Sequence, residues 1–146
     1  MRTGFNLPND LIDSAMIENV WIDNCHCALV LRADYRSDGI KFFTKDDEPL
    51  QLGYMRRERG YVIQPHSHRL APRQVDYTNE VLIIRSGRVK VNFYDAAQQI
   101  RSDLVLEQGD IILLMQAGHG FEMLEESEIV EVKQGPYVGD RDKLHF

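Results

Sequence analysis

Cysteine is nearly absent from this chain, and basic residues are outnumbered by acidic ones. Only Cys25 and Cys27 occur among 146 residues, with His26 between them. On a strand, two residues at i and i+2 share a face and the middle one points away. Cys25, His26 and Cys27 therefore do not converge on a metal, and a disulfide across one residue is badly strained. Two thiols are half of a zinc site, and the chain has no second cysteine pair. The plain reading is two small apolar side chains on a buried strand. The 17 Lys and Arg residues face 23 Asp and Glu, for a net charge of -6. That balance argues against nonspecific nucleic-acid binding and against an anionic membrane surface. No apolar run approaches a membrane span, and the first residues, Met1-Arg2-Thr3-Gly4-Phe5-Asn6, lack the apolar stretch of a signal peptide. A cytoplasmic location is the expectation.

What is present fits one globular domain over residues 1–146. Hydrophobic residues make up 43% and charged residues 27%, enough for a single sizeable core. Pro8, Leu11, Ile12, Ala15 and Met16 predict a short N-terminal helix. Beyond Trp21 the pattern becomes extended. Strands are predicted over 20–22, 28–31, 40–44, 50–55, 61–68, 80–85, 88–94, 103–106, 111–115, 120–124 and 129–134. Glycine marks several of the breaks: Ser86-Gly87, Gln108-Gly109 and Gln116-Ala117-Gly118. Regular short strands with such punctuation predict an all-β sandwich or barrel. Both faces of the strand from Glu80 are apolar, which predicts cover on both sides. The tail from Gly135 to Phe146 reads as polar, turn-rich surface.

The segment that carries chemistry is Gly60-Tyr61-Val62-Ile63-Gln64-Pro65-His66-Ser67-His68. If it is a strand, His66 and His68 aim both imidazoles at one point. A carboxylate from Glu80 and a third imidazole from His119 would complete a metal site. Three neutral imidazoles and one carboxylate suit a divalent first-row ion, with Fe, Mn, Ni, Co and Zn all admissible.

These residues resemble the cupin family. Gly60 precedes His66 by five intervening residues, His66-Ser67-His68 supplies the paired histidines, and six residues separate Glu80 from Gly87. Gly109-Asp110 followed by Ile111 to Met115 and then His119 resembles the family's second motif. The two motifs cover residues 60 to 123. The ending Glu131-Val132-Lys133-Gln134-Gly135-Pro136-Tyr137 is similar to a subgroup of small bacterial cupins of unassigned activity. Two departures stand out: eleven residues lie between His68 and Glu80, more than the family pattern has, and His119 arrives one residue early. The resemblance implies a jelly-roll barrel (a double-stranded β-helix), a metal held by His66, His68, Glu80 and His119, and a homodimer.

Three functions are compatible with that ligand set. One is a metal-dependent isomerase or epimerase acting on a sugar or hydroxy-carbonyl compound, with the metal as Lewis acid. Another is a mononuclear iron dioxygenase. The third is a non-catalytic metal or small-molecule binding module with a regulatory role. The expected partner is a small polar or anionic molecule. Arg73, in the insert between the ligand segments, is a candidate for pairing with a substrate carboxylate or phosphate, against the plain reading of a solvated loop. Glu131 and Lys133 are candidates for acid and base, against the plain reading of an exposed strand face. Arg56-Arg57-Glu58-Arg59 reads as a solvated charged turn.

Overall fold

The computed structural model describes residues 15–146. Most of the predicted N-terminal helix, including Pro8, Leu11 and Ile12, lies outside the described residues. The structure is all-β. Ten strands follow in order: β1 (Ile17–Ile22), β2 (Cys25–Leu31), β3 (Gly39–Phe42), β4 (Gly53–Arg56), β5 (Glu80–Ser86), β6 (Val89–Tyr94), β7 (Ile100–Leu106), β8 (Ile111–Leu114), β9 (Gly118–Met123) and β10 (Glu128–Lys133). One 3-10 turn, Gly139–Arg141, lies near the C-terminus. No helix among the described residues is long and apolar enough to cross a membrane.

The chain divides into two compact units. The larger ends its first stretch at Tyr35 and resumes over Thr78–Phe146. It holds a five-stranded sheet, β1-β2-β8-β5-β10, and a three-stranded sheet, β7-β6-β9. Ala28, Val30, Ile112, Leu114, Leu82 and Ile84 of the first sheet share one buried cluster with Val89, Val91, Phe93 and Leu106 of the second. The sheets are thus packed around one core, as in a sandwich, but their hydrogen bonding does not close into a barrel.

Strand phase explains which side chains fill that core. In β5, Glu80, Leu82 and Ile84 are buried while Val81 and Ile83 are half-buried. The same alternation runs through β6, where Val89, Val91 and Phe93 are fully buried. Double cover falls elsewhere than predicted. Leu29 and Leu113, on the opposite face of β2 and β8, are fully buried. Beside Val81 and Ile83, however, Val130 and Val132 of β10 are exposed. β5 lies next to the edge strand β10, and at that edge only the inner face is filled. Cys25 and Cys27 lie on β2 as expected, Cys27 within the core cluster. Burial, reinforced by the neighbouring Cys25, pushes the Cys27 thiol up to about 11, so it behaves as a small hydrophobe.

Two turns need glycine. At Gly87, between β5 and β6, φ is +84°, and a Cβ there would strike the Glu126 carbonyl and Ser127. At Gly109, φ is +88° and a Cβ would lie 2.8 Å from Ala33 Cβ. The Gly109 N–H donates to Ile84 C=O at 2.8 Å, and Ile84 N–H donates to Asp110 C=O at 3.0 Å. This places the buried Asp110 carboxylate at the entry to β8. It accepts from Ala33 N–H at 2.9 Å, Glu107 N–H at 2.9 Å and Arg32 Nη1 at 2.7 Å. Arg32 also donates from Nε to Glu18 Oε1 at 2.6 Å and from Nη1 to Val105 C=O at 2.8 Å. One buried acid therefore ties β2, β7 and β8 together.

The smaller unit, Arg36–Tyr77, contains the β3–β4 hairpin. Ile40, Phe42 and Met55 of the hairpin are exposed. The predicted strand at 61–68 is not formed. Residues 61–77 run without regular secondary structure, and Tyr61, Val62, Ile63 and Leu70 are exposed. The physical reason is visible locally. Tyr61-Val62-Ile63 is a continuous apolar run, not an alternation, and Pro65 has no N–H to give a ladder.

Replacing Asp110 with Ala strands two backbone N–H groups and part of the Arg32 guanidinium in a covered site. A loss of roughly 3–5 kcal/mol is expected, to be read by urea unfolding at neutral pH. A loss below about 1 kcal/mol would remove Asp110 from this role.

Candidate active site

Glu80 opens β5 on its inner face, in phase with Leu82 and Ile84. Its side chain is only 10% exposed. An ionised carboxylate so placed needs a partner. That partner comes from the other sheet. His119 lies on β9, opposite Phe93 of β6, and Phe93 is fully buried. Cross-strand partners share a face, so His119 points into the space between the sheets. Its Nε2 lies 3.4 Å from Glu80 Oε2. The early arrival of His119 in the sequence does not turn it away, because β9 pairs with β6 in the register that faces it inward.

The other ring nitrogen is also fixed. His119 Nδ1 lies 3.1 Å from the Ala117 carbonyl. A carbonyl only accepts, so Nδ1 carries the proton. In the neutral ring Nε2 then has a bare lone pair aimed at a carboxylate. Two electron donors face each other, an arrangement that calls for a proton or another cation between them. The contact with His119 holds the Glu80 carboxyl below the ordinary value of 4.5, against the upward pull of burial, with the charges of Lys143 and Lys133 adding to the lowering.

Lys133 and Glu131 share the inner face. Lys133 pairs across the ladder with Glu80, and Glu131 with Leu82. Lys133 Nζ lies 3.8 Å from both Glu131 Oε1 and Asp142 Oδ2. Val130 and Val132 lie on the opposite face, and the face of Glu131 and Lys133 carries Glu80. The end of β5 is held by Asn79, whose N–H donates to Gln134 Oε1 at 3.0 Å. Thr78 Oγ1 donates to Asp142, which anchors the tail.

In the smaller unit, His66 and His68 are neighbours, with ring centroids 5.5 Å apart and planes at 85°. Both are exposed. His66 Nδ1 lies 2.8 Å from the Gln64 carbonyl. The donor pattern is that of His119: Nδ1 on a carbonyl two residues earlier, Nε2 left over as the lone-pair nitrogen. Arg73 is exposed and donates from Nη1 to Ala71 C=O at 3.1 Å. The structure thus brings Glu80 together with His119, and His66 together with His68. Among the described residues no group of three or more His, Cys, Asp or Glu side chains is gathered as a metal site.

Sequence reasoning missed Thr78, Asp142 and Lys143. Thr78 and Asp142 are 64 positions apart, and no local pattern joins them. The only signal was the density of charged residues at 140–143. No family model, curated protein or solved structure matches the chain.

Lowering of the Glu80 pKa on folding gives a signed prediction. Glu80 contributes stability that is complete above its unfolded value and lost as pH falls through the lower folded value. Urea unfolding from pH 6 to pH 3 should show that loss setting in below 4.5, and Glu80→Gln should flatten this part of the profile. An unchanged profile in the variant would refute the pairing.

Proposed function

We propose that this chain is a cupin-like metal-dependent enzyme in which His66, His68, Glu80 and His119 hold one divalent ion. The reading is carried by Nε2 of His119 facing the covered Glu80 carboxylate across 3.4 Å. Support comes from the backbone carbonyls at Ala117 and Gln64, which fix the proton on Nδ1 of His119 and His66. Metal-bound histidines are held in this way, with the distal nitrogen tied and the near one free. The two sheets around one core suit a jelly roll.

Bound there, the ion would act as a Lewis acid on a carbonyl oxygen, which suits isomerase or epimerase chemistry on a hydroxy-carbonyl substrate. The chain's own groups have separate parts. Glu80 supplies the negative charge that favours a cation. His119 and His66 each have Nδ1 within reach of a backbone carbonyl, which leaves Nε2 as the nitrogen for an ion. Glu131, on the same face two residues from Lys133, is the group placed to carry a proton. Exposed Tyr61, Val62, Ile63 and Leu70 form apolar surface consistent with pairing of two chains.

Metal analysis of protein purified without added metal tests the reading. About one divalent ion per chain is expected, falling by at least about tenfold in affinity in His119→Ala and in the His66→Ala/His68→Ala double variant. Full retention in both would overturn it. Oxygen uptake during turnover would move the reading to the dioxygenase. Light scattering should give a mass near twice 16.9 kDa; a monomer at micromolar concentration would remove the pairing.

A further inference from the structure

We propose that residues 142–146 form a strap across the end of the sandwich where Glu80 meets His119, pinned at Asp142 and clasped at Phe146, and that release of the clasp opens the pair to ligands. The proposal rests on the reading above only in taking that pair as the site.

The segment is attached on both sides of the pair. On one side Thr78, two residues before Glu80, donates to Asp142. Lys133, the cross-strand partner of Glu80, has its Nζ 3.8 Å from Asp142 Oδ2. On the other side the Phe146 ring meets Tyr94 edge-on, with centroids 5.2 Å apart and planes at 81°. Tyr94 is the ladder partner of Gly118, the residue before His119. Successive residues of a strand point to opposite faces. His119 takes the inner face of β9, so the clasp lies on the outer one. The segment thus starts beside Lys133, inside the five-stranded sheet, and finishes outside the three-stranded sheet. Its four residue steps reach at most about 14 Å, which leaves no route but the one round the end of the core at Glu80 and His119. Lys143, within that span, is close enough for its charge to lower the Glu80 pKa.

The two ends are held unequally. Asp142 accepts a hydrogen bond and faces an ammonium. Phe146, although it touches Tyr94, is 61% exposed, and Leu144 is 83% exposed. Residues 143–146 carry no regular secondary structure. A cavity of about 330 Å³, walled in part by Lys133, Lys143 and His145, lies alongside, so the segment is not packed solidly onto β10. A stretch with few buried apolar contacts opens locally at low cost. An edge-to-face ring pair biases it toward the closed form by only roughly two- to tenfold.

Gly118 makes room for the clasp. A Cβ there would lie 3.1 Å from Tyr94 Cβ and 3.2 Å from Phe146 Cζ. Gly118 is not among the glycines with positive φ, so its missing side chain serves space and not backbone conformation.

The test is modification of the full-length protein, stripped of metal by chelation, with diethyl pyrocarbonate at neutral pH, each histidine being followed by peptide mass spectrometry. Phe146→Ala, and from the sheet side Gly118→Val, should each speed modification of His119 roughly two- to tenfold. Phe146→Tyr keeps the ring and should leave the rate unchanged. His66 and His68, already exposed, are the internal reference and should stay constant. Phe146 is largely exposed, so its replacement leaves the core intact, and Phe146→Ala decides even where Gly118→Val disturbs β9. An unchanged His119 rate in Phe146→Ala, or an equal rise at His66 and His68, would overturn the strap. The reaction needs no metal, so a chain that binds no ion but shows the rate change loses the metal reading and keeps the strap.

Discussion

A covered carboxylate facing an imidazole is the interaction on which the site depends. Glu80 is the first residue of β5, and strand phase commits it to the same face as Leu82 and Ile84. Once those side chains are in the core, the carboxylate follows them inward. Its charge is tolerable only with a partner from the opposite sheet, and His119 reaches it from β9. The contact therefore does two things. It bridges the five-stranded and three-stranded sheets at one end of the core, and it sets an imidazole nitrogen against a carboxylate where a proton or another cation is needed between them.

A second carboxylate shows what a purely structural acid looks like in the same fold. Asp110 is as thoroughly covered as Glu80, but its oxygens are saturated by two backbone N–H groups and Arg32. Nothing is left to offer a ligand. Glu80 meets one imidazole edge and the more distant charges of Lys133 and Lys143. Sequence treated Gly109-Asp110 as part of a functional motif. In the structure that dipeptide turns the chain into β8 and locks β2 against it, while Glu80 faces His119.

Much of this was legible in the chain. Alternation with glycine at the breaks placed β5, β6, β8 and β10 within a residue or two, because half-buried strands enforce a period of two. The same rule puts Glu80, Leu82 and Ile84 on one face of β5 and Glu131 and Lys133 on one face of β10. The rule failed at Tyr61–His68, where consecutive apolar residues and Pro65 deny a ladder, so an argument from strand phase did not apply to His66 and His68. Their rings are neighbours through local chain geometry instead. The inward aim of His119 was hidden for another reason: it depends on the register of β9 against β6, a long-range pairing set by the core around Phe93. The tie between Thr78 and Asp142 has no local pattern in the sequence, since its partners are 64 positions apart and meet only after the tail has folded back.

The charges around Glu80 also bear on what its contact with His119 can accept. Lys133 and Lys143 favour the ionised carboxylate, and that helps any cation that needs it. The same two ammonium groups repel a divalent ion directly, by a Coulomb term that covered surroundings weaken less than water does. The Glu80–His119 contact therefore sits in a field that stabilises the carboxylate's charge and opposes a further cation, and the difference between the two effects decides what the contact can accept.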